Sequence, residues 1–101
     1  MMTDEDHDIG RVFAALTNDD RRAILQLLRS AHADGESGLS ITAIAAGVEI
    51  SRFGASRHLG VLRAAGIVHT VAEKHRRVSS LVSGPVTEAI DWLLPLVVGD
   101  P

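Results

Sequence analysis

The stretch S-R-F-G-A-S-R-H-L-G-V-L-R-A-A-G-I-V, Ser51 to Val68, decides how the chain folds. Ser51 is placed to accept a backbone N–H in the first turn of a helix, and Gly66 suits a left-handed residue just past the last turn. Between them Ala55, Leu59 and Leu62 recur at i, i+4 and i+7 and predict a buried stripe, while Phe53, Ser56, Arg57 and Gly60 fall on a second stripe facing outward. The outward stripe opens with small and basic residues at the end of the helix where free N–H groups and the positive dipole favour phosphate. A cationic helix of this design suits the major groove of DNA.

Working upstream, Ser40 caps a preceding helix whose apolar face is Ile41, Ile44, Ala45 and Val48. Gly47 near its end supports a turn, and Gly47 to Ile50 is short enough to join the two helices steeply, as in a helix-turn-helix. Ala31 to Leu39 is polar and glycine-containing and predicts a loop. Before it, Ala23, Ile24, Leu27 and Leu28 form the stripe of a helix capped by Asn18 or Thr17, with Asp19 and Asp20 in its first turn. Ile9, Val12, Phe13 and Leu16 make a short amphipathic helix. Residues 1–8 are acidic and aperiodic and predict a frayed tail, leaving residues 9–98 as one domain.

Downstream of Gly66 the period changes. Ile67 to Ala72 and Arg77 to Val82 are rich in β-branched residues around a charged E-K-H-R tip, which predicts a two-stranded wing over residues 67–82. Pro85 fits the first turn of a final helix with Val86, Ile90, Leu93 and Val97 on one face and Trp92 and Leu94 beside it; Pro95 is expected to kink or end that helix. The expected order is α-α-α-α-β-β-α: mostly α, with a small β-hairpin.

Charge and composition narrow the function. The net charge is −3, yet Arg52, Arg57, Arg63, Lys74, Arg76 and Arg77 face only Glu73 between Ser51 and Arg77, so the basic charge is concentrated on the proposed reading helix and wing. Aromatic residues are 3% of a chain that is 46% apolar, so the interior must be built from Ala, Leu, Ile and Val. Cysteine is absent, which removes disulfides and thiolate metal sites. No run approaches the roughly 18 apolar residues of a membrane span, and the T-D-E-D-H-D start is unlike a signal peptide, so a cytoplasmic protein with no membrane partner is expected. A chain of 101 residues gains from burying apolar surface against a second copy, so a homodimer is expected. Histidines, serines and carboxylates form no nucleophile, base and orienter grouping, and an enzyme is not expected.

Two runs, F-A-A-L-T-N-D-D-R-R-A-I-L-Q-L-L at Phe13 to Leu28 and the Ser51 to Val68 segment, occur in the order seen in the ArsR/SmtB family of dimeric winged-helix transcription regulators, which the chain resembles over Ile9 to Val97. The resemblance implies a double-stranded DNA operator as partner, with DNA-facing positions at Ser51, Arg52, Phe53, Ser56 and Arg57 and a wing tip at Lys74, His75 and Arg76. The chemistry of these residues agrees. Arg52 and Arg57 suit guanine O6 and N7, Ser51 and Ser56 suit phosphates or base edges, and Phe53 either touches a thymine methyl or packs on its neighbour. His58 is expected to be a structural hydrogen-bonder, Arg63 a surface charge. The dimer is expected to pair through the first and last helices, using Ile9, Val12, Phe13, Leu16, Val86, Ile90, Leu93 and Val97.

Departures from the family pattern bear on what the protein senses. The wing tip lacks a glycine. Ser79 and Ser80 stand where relatives commonly carry aromatics, which should thin the packing under the wing. Gly54, early in the reading helix, fits a close backbone approach from DNA or from the third helix. Metal-sensing relatives use a cysteine pair where this chain reads L-S-I-T-A-I-A, or Asp/His and His/Glu pairs on the last helix, where this chain offers only Glu88 and Asp91. No cofactor is expected from these positions. Weak nickel or zinc binding by Asp4, Glu5, His7 and Asp8 is the metal-responsive alternative, set against a plain acidic tail. A small effector stays open, and the alternative to a DNA regulator is a winged-helix module that docks on another protein.

Overall fold

The computed structural model describes residues 4–99, with side chains from residue 9 onward. In chain order the elements are α1 (Asp4–Ala15), α2 (Asp19–Ala33), β1 (Leu39–Ser40), α3 (Ile41–Val48), α4 (Arg52–Ala64), β2 (Val68–Glu73), β3 (Arg76–Leu81) and α5 (Gly84–Val98). All five expected helices and both wing strands are present.

Capping residues set the helix starts. Asn18, rather than Thr17, caps α2 by accepting from Arg21 N at 2.9 Å; Ser40 caps α3 through Ala43 N at 3.2 Å; and Ser51 caps α4 through Gly54 N at 2.9 Å. Gly66 ends α4 at φ 79°, and Ile67 N closes the turn on Leu62 O at 3.1 Å.

Several boundaries differ from expectation. The first helix begins at Asp4, not near Ile9, so residues 4–8, expected in a frayed tail, are helical; residues 1–3 of that tail lie outside the described residues. α2 continues to Ala33 because Ala31 is buried against the core, which shortens the expected loop from its start. Gly47 does not make the turn after α3. It lies inside the helix, where a Cβ would come within 2.7 Å of Leu27 Cδ2, and the left-handed residue is Glu49 at φ 63°. α5 runs through Pro95 to Val98 instead of stopping there, although Pro95 has no N–H to offer the carbonyl of Asp91.

The sheet has three antiparallel strands in the order β1-β3-β2. The wing pairs Val71 with Val78 and Glu73 with Arg76, and the unexpected β1 adds Leu39 opposite Ser79 and Ser40 opposite Val78. Gly38 makes that approach possible, since a Cβ there would meet Ser79 O at 2.7 Å. β1 thus ties the start of α3 to the wing.

The core lies where α1 to α4 converge on the base of the sheet. Val12, Ile24, Ile44, Leu62 and Ile67 are its largest fully buried side chains, each contributing about 1.5–3 kcal/mol by leaving water. This framework holds α4 with Ala55, Leu59 and Leu62 inward, as the stripe predicts, and therefore fixes which side chains α4 presents outward. α5 packs mainly on α1, where Phe13 and Trp92 meet edge to face with centroids 5.9 Å apart.

Candidate nucleic-acid interface

The first two turns of α4 bury Ala55 and Leu59 and present their opposite face outward. Ser51, Arg52, Phe53, Ser56 and Arg57 are all exposed, and Phe53 is 73% exposed. Its neighbour is Arg57, whose guanidinium carbon stands 5.8 Å from the ring centroid, a cation–π contact that holds the arginine over the aromatic face. α4 contains no carboxylate, so nothing on the helix itself neutralises Arg52, Arg57 or Arg63. Gly54 has no other part of the protein near it except Ser51 Oγ, 3.2 Å from where a Cβ would stand, so α3 does not account for its lack of a side chain.

His58 turns away from the exposed stripe. Its Nδ1 lies 3.4 Å from Arg21 Nη1 and its Nε2 3.7 Å from Asp20 Oδ2, so α2 grips the reading helix through this ring, the structural role expected of it. Arg21 in turn donates from Nε to Ala15 O at 2.7 Å, joining the end of α1 to the same junction.

At the wing tip Lys74, His75 and Arg76 are exposed. Lys74 takes φ 57°, doing the work that a glycine would do at this turn. Glu73 stays close by, 3.9 Å from Arg76 Nη2. Between α4 and the wing runs a cleft of about 280 Å³ bordered by Ser56, Leu59 and Arg63 on one side and Thr70, Arg77 and Ser79 on the other. Ser79, one of the two serines expected to thin the packing under the wing, borders this cleft; Ser80 does not. Arg63 is an exposed charge, as expected, and its Nη1 donates to Thr70 Oγ1 at 3.4 Å, across the cleft. Arg77, counted from the sequence in the basic charge of the wing, borders the same cleft from β3.

The second exposed surface is on α5, where only Ala89 is buried. Ile90, Leu93 and Val97 are 53%, 42% and 83% exposed, and Ile9, Phe13, Leu16 and Val86 are half-buried. Val12 departs from the expected set: it is fully enclosed within the chain and can reach no partner. Among the described residues no group of three or more His, Asp or Glu is placed to hold a metal ion. The side chains of Asp4, Glu5, His7 and Asp8 lie outside the described residues. No helix among the described residues is long and apolar enough to cross a membrane.

A helix-turn-helix formed by α3 and α4, followed by a β-wing and a terminal helix, is a winged helix-turn-helix. The family model for the helix-turn-helix domain matches residues 16–71, and the chain belongs to that family; its winged fold is similar to that of ArsR-type regulators. Among solved structures, an ArsR-like transcriptional regulator from a Rhodococcus species is similar with a TM-score of 0.78 at 23% identity, over 95% of this chain and 85% of that one. A homodimeric winged helix-turn-helix DNA-binding domain from Mycobacterium bovis is similar with a TM-score of 0.68 at 26% identity, over 91% of this chain and 79% of that one. NolR from Sinorhizobium fredii is similar with a TM-score of 0.68 at 26% identity, over 97% of this chain and 91% of that one. No curated protein sequence matches the chain.

Proposed function

We propose that the protein is a dimeric, sequence-specific transcription regulator acting on DNA in the cytoplasm, with no enzymatic role. The observation that carries this reading is the carboxylate-free face of α4, where Arg52, Phe53, Ser56 and Arg57 stand exposed at the N-terminal end. α4 enters the major groove, Arg52 and Arg57 pair with base edges, and Ser51 and Ser56 hold phosphates. Lys74, His75 and Arg76 reach the adjacent backbone or minor groove from the wing.

Pairing through α5 and α1 supplies the two-fold symmetry that an inverted-repeat operator requires. The apolar strip on α5 supports it, as does the homodimeric state of the similar domain from Mycobacterium bovis. A gel-shift titration of the purified chain against DNA upstream of its own gene, at two salt concentrations, tests the reading. Specific retardation that weakens with salt and is lost in Arg57→Ala is expected. Absence of specific retardation would favour the protein-docking module instead.

A further inference from the structure

The cleft between α4 and the wing carries a second set of chemical groups that reading DNA does not require. Its volume of about 280 Å³ lies at the small end of the range of about 300–1,000 Å³ typical of ligand sites. Leu59, almost fully buried, and Ile41 give it an apolar lining, and two arginines, Arg63 and Arg77, border it.

No carboxylate lines the cleft. Arg77 sits opposite Ala72 in the hairpin register, and among the described residues it belongs to none of the ion pairs, which involve Arg22, His58 and Arg76. Among the described residues Arg63 makes one side-chain hydrogen bond, to the hydroxyl of Thr70. That hydroxyl pairs with Ser79 Oγ at 2.8 Å, and Ser79 is itself 3% exposed. Two cations outside the ion pairs of the described residues, a half-buried hydroxyl pair and apolar lining within one small concavity suit a ligand with one charged and one greasy end.

We propose that this cleft binds a small organic anion, a monocarboxylate with a short apolar body, and that its occupancy releases the operator. The carboxylate lies between Arg63 and Arg77, whose planar donors match its two oxygens, and the apolar body rests on Leu59 and Ile41. A bare inorganic anion would leave that lining unused. The release half of the proposal rests on the DNA-binding reading above. Ser56 borders the cleft and also stands on the reading face, and Arg77 adjoins Arg76 of the wing, so a bound carboxylate fills space beside both elements and cancels charge that phosphates would otherwise meet.

The test uses the full chain without DNA first. Backbone amide NMR shifts are followed while benzoate is added, with benzamide as the neutral isostere and inorganic phosphate as the bare anion. Saturable shifts centred on Thr70, Arg77 and Ser79 are expected with benzoate and not with benzamide. Arg63→Gln and Arg77→Gln should each weaken benzoate by at least about tenfold, and Ser79→Tyr, which fills the cleft without removing a charge, should abolish binding while the helical circular dichroism is retained. In a second arm, benzoate should release retarded operator from the wild-type chain and not from Ser79→Tyr.

Absence of benzoate shifts in the cleft overturns the proposal. So does phosphate binding there as tightly as benzoate, which would assign the two arginines to the duplex backbone. If benzoate binds but no operator is retarded even without it, the carboxylate site stands and the regulatory half falls together with the DNA-binding reading.

Discussion

Arg21 Nη1 stands 3.4 Å from His58 Nδ1, and this contact sets the tautomer of the histidine. Arginine has no acceptor, so Nδ1 must accept and the neutral ring carries its proton on Nε2, the nitrogen that faces Asp20. Arg21 also bonds Ala15 O and Ala14 O at the end of α1. Arg21→Ala is therefore expected to lower unfolding stability by about 1–3 kcal/mol in urea, and ¹⁵N shifts of the His58 ring should report the Nε2–H form.

Glu49 occupies the left-handed region at φ 63°, ψ 48° in the turn between the two helices of the DNA-binding motif. A Cβ in that conformation costs about 1–2 kcal/mol, so Glu49→Gly should raise the urea midpoint with an unchanged slope. Glu49→Ala keeps the Cβ and should bring no comparable gain. A drop in stability for the glycine variant would contradict the strain.

The proposed reading face and wing tip should separate by their salt behaviour. Arg57→Ala is expected to lose about 1–3 kcal/mol of operator affinity and to relax sequence preference. Lys74→Ala should weaken specific and nonspecific DNA alike and reduce the salt slope by about one. Equal effects of the two variants on sequence preference would argue against this division.

Gly38 lies against Ser79 O so closely that a Cβ would come within 2.7 Å of it, and a backbone oxygen cannot swing aside as a side chain does. Gly38→Ala should therefore detach β1, costing about 1–3 kcal/mol. Amide exchange should show the loss first at Leu39, Ser40, Val78 and Ser79.

Leu93→Asp and Val97→Asp on α5 should turn a dimer into monomers in sedimentation velocity without unfolding the chain, because both side chains already face outward. Val12→Ala should act the other way, lowering stability by roughly 1–3 kcal/mol through a core cavity. Unchanged sedimentation in both aspartate variants would remove α5 from the proposed interface.

The parts of this fold written in strong local chemistry were readable from the chain. α4 had a serine cap, a single apolar stripe and Gly66 as its stop, and the wing had two β-branched runs around a charged tip; both formed where expected. β1 was not legible because two residues carry no periodicity, and its only trace was Gly38, whose meaning depends on Ser79 some forty residues away in sequence. Val12 looked like its neighbours on an apolar stripe, yet the stripe is wide enough that one edge is sealed by the chain's own core while the other stays open. Arg63 read as a surface charge and Arg77 as part of the wing's basic charge, since only the packing of β2 and β3 beside α4 brings the two residues to a common cleft.

The water-facing side chains of α5 also bear on the protein's lifetime in the cell. Ile90, Trp92, Leu93, Leu94, Leu96, Val97 and Val98 all lie open in the single chain, and apolar surface of this kind is what chaperones and proteases act on in general. Under the pairing proposed above, a newly made chain stays vulnerable until it meets its mate, so degradation would fall hardest on dilute molecules. Supply of the active species would then rise more steeply than synthesis, giving a sharp threshold with no ligand involved.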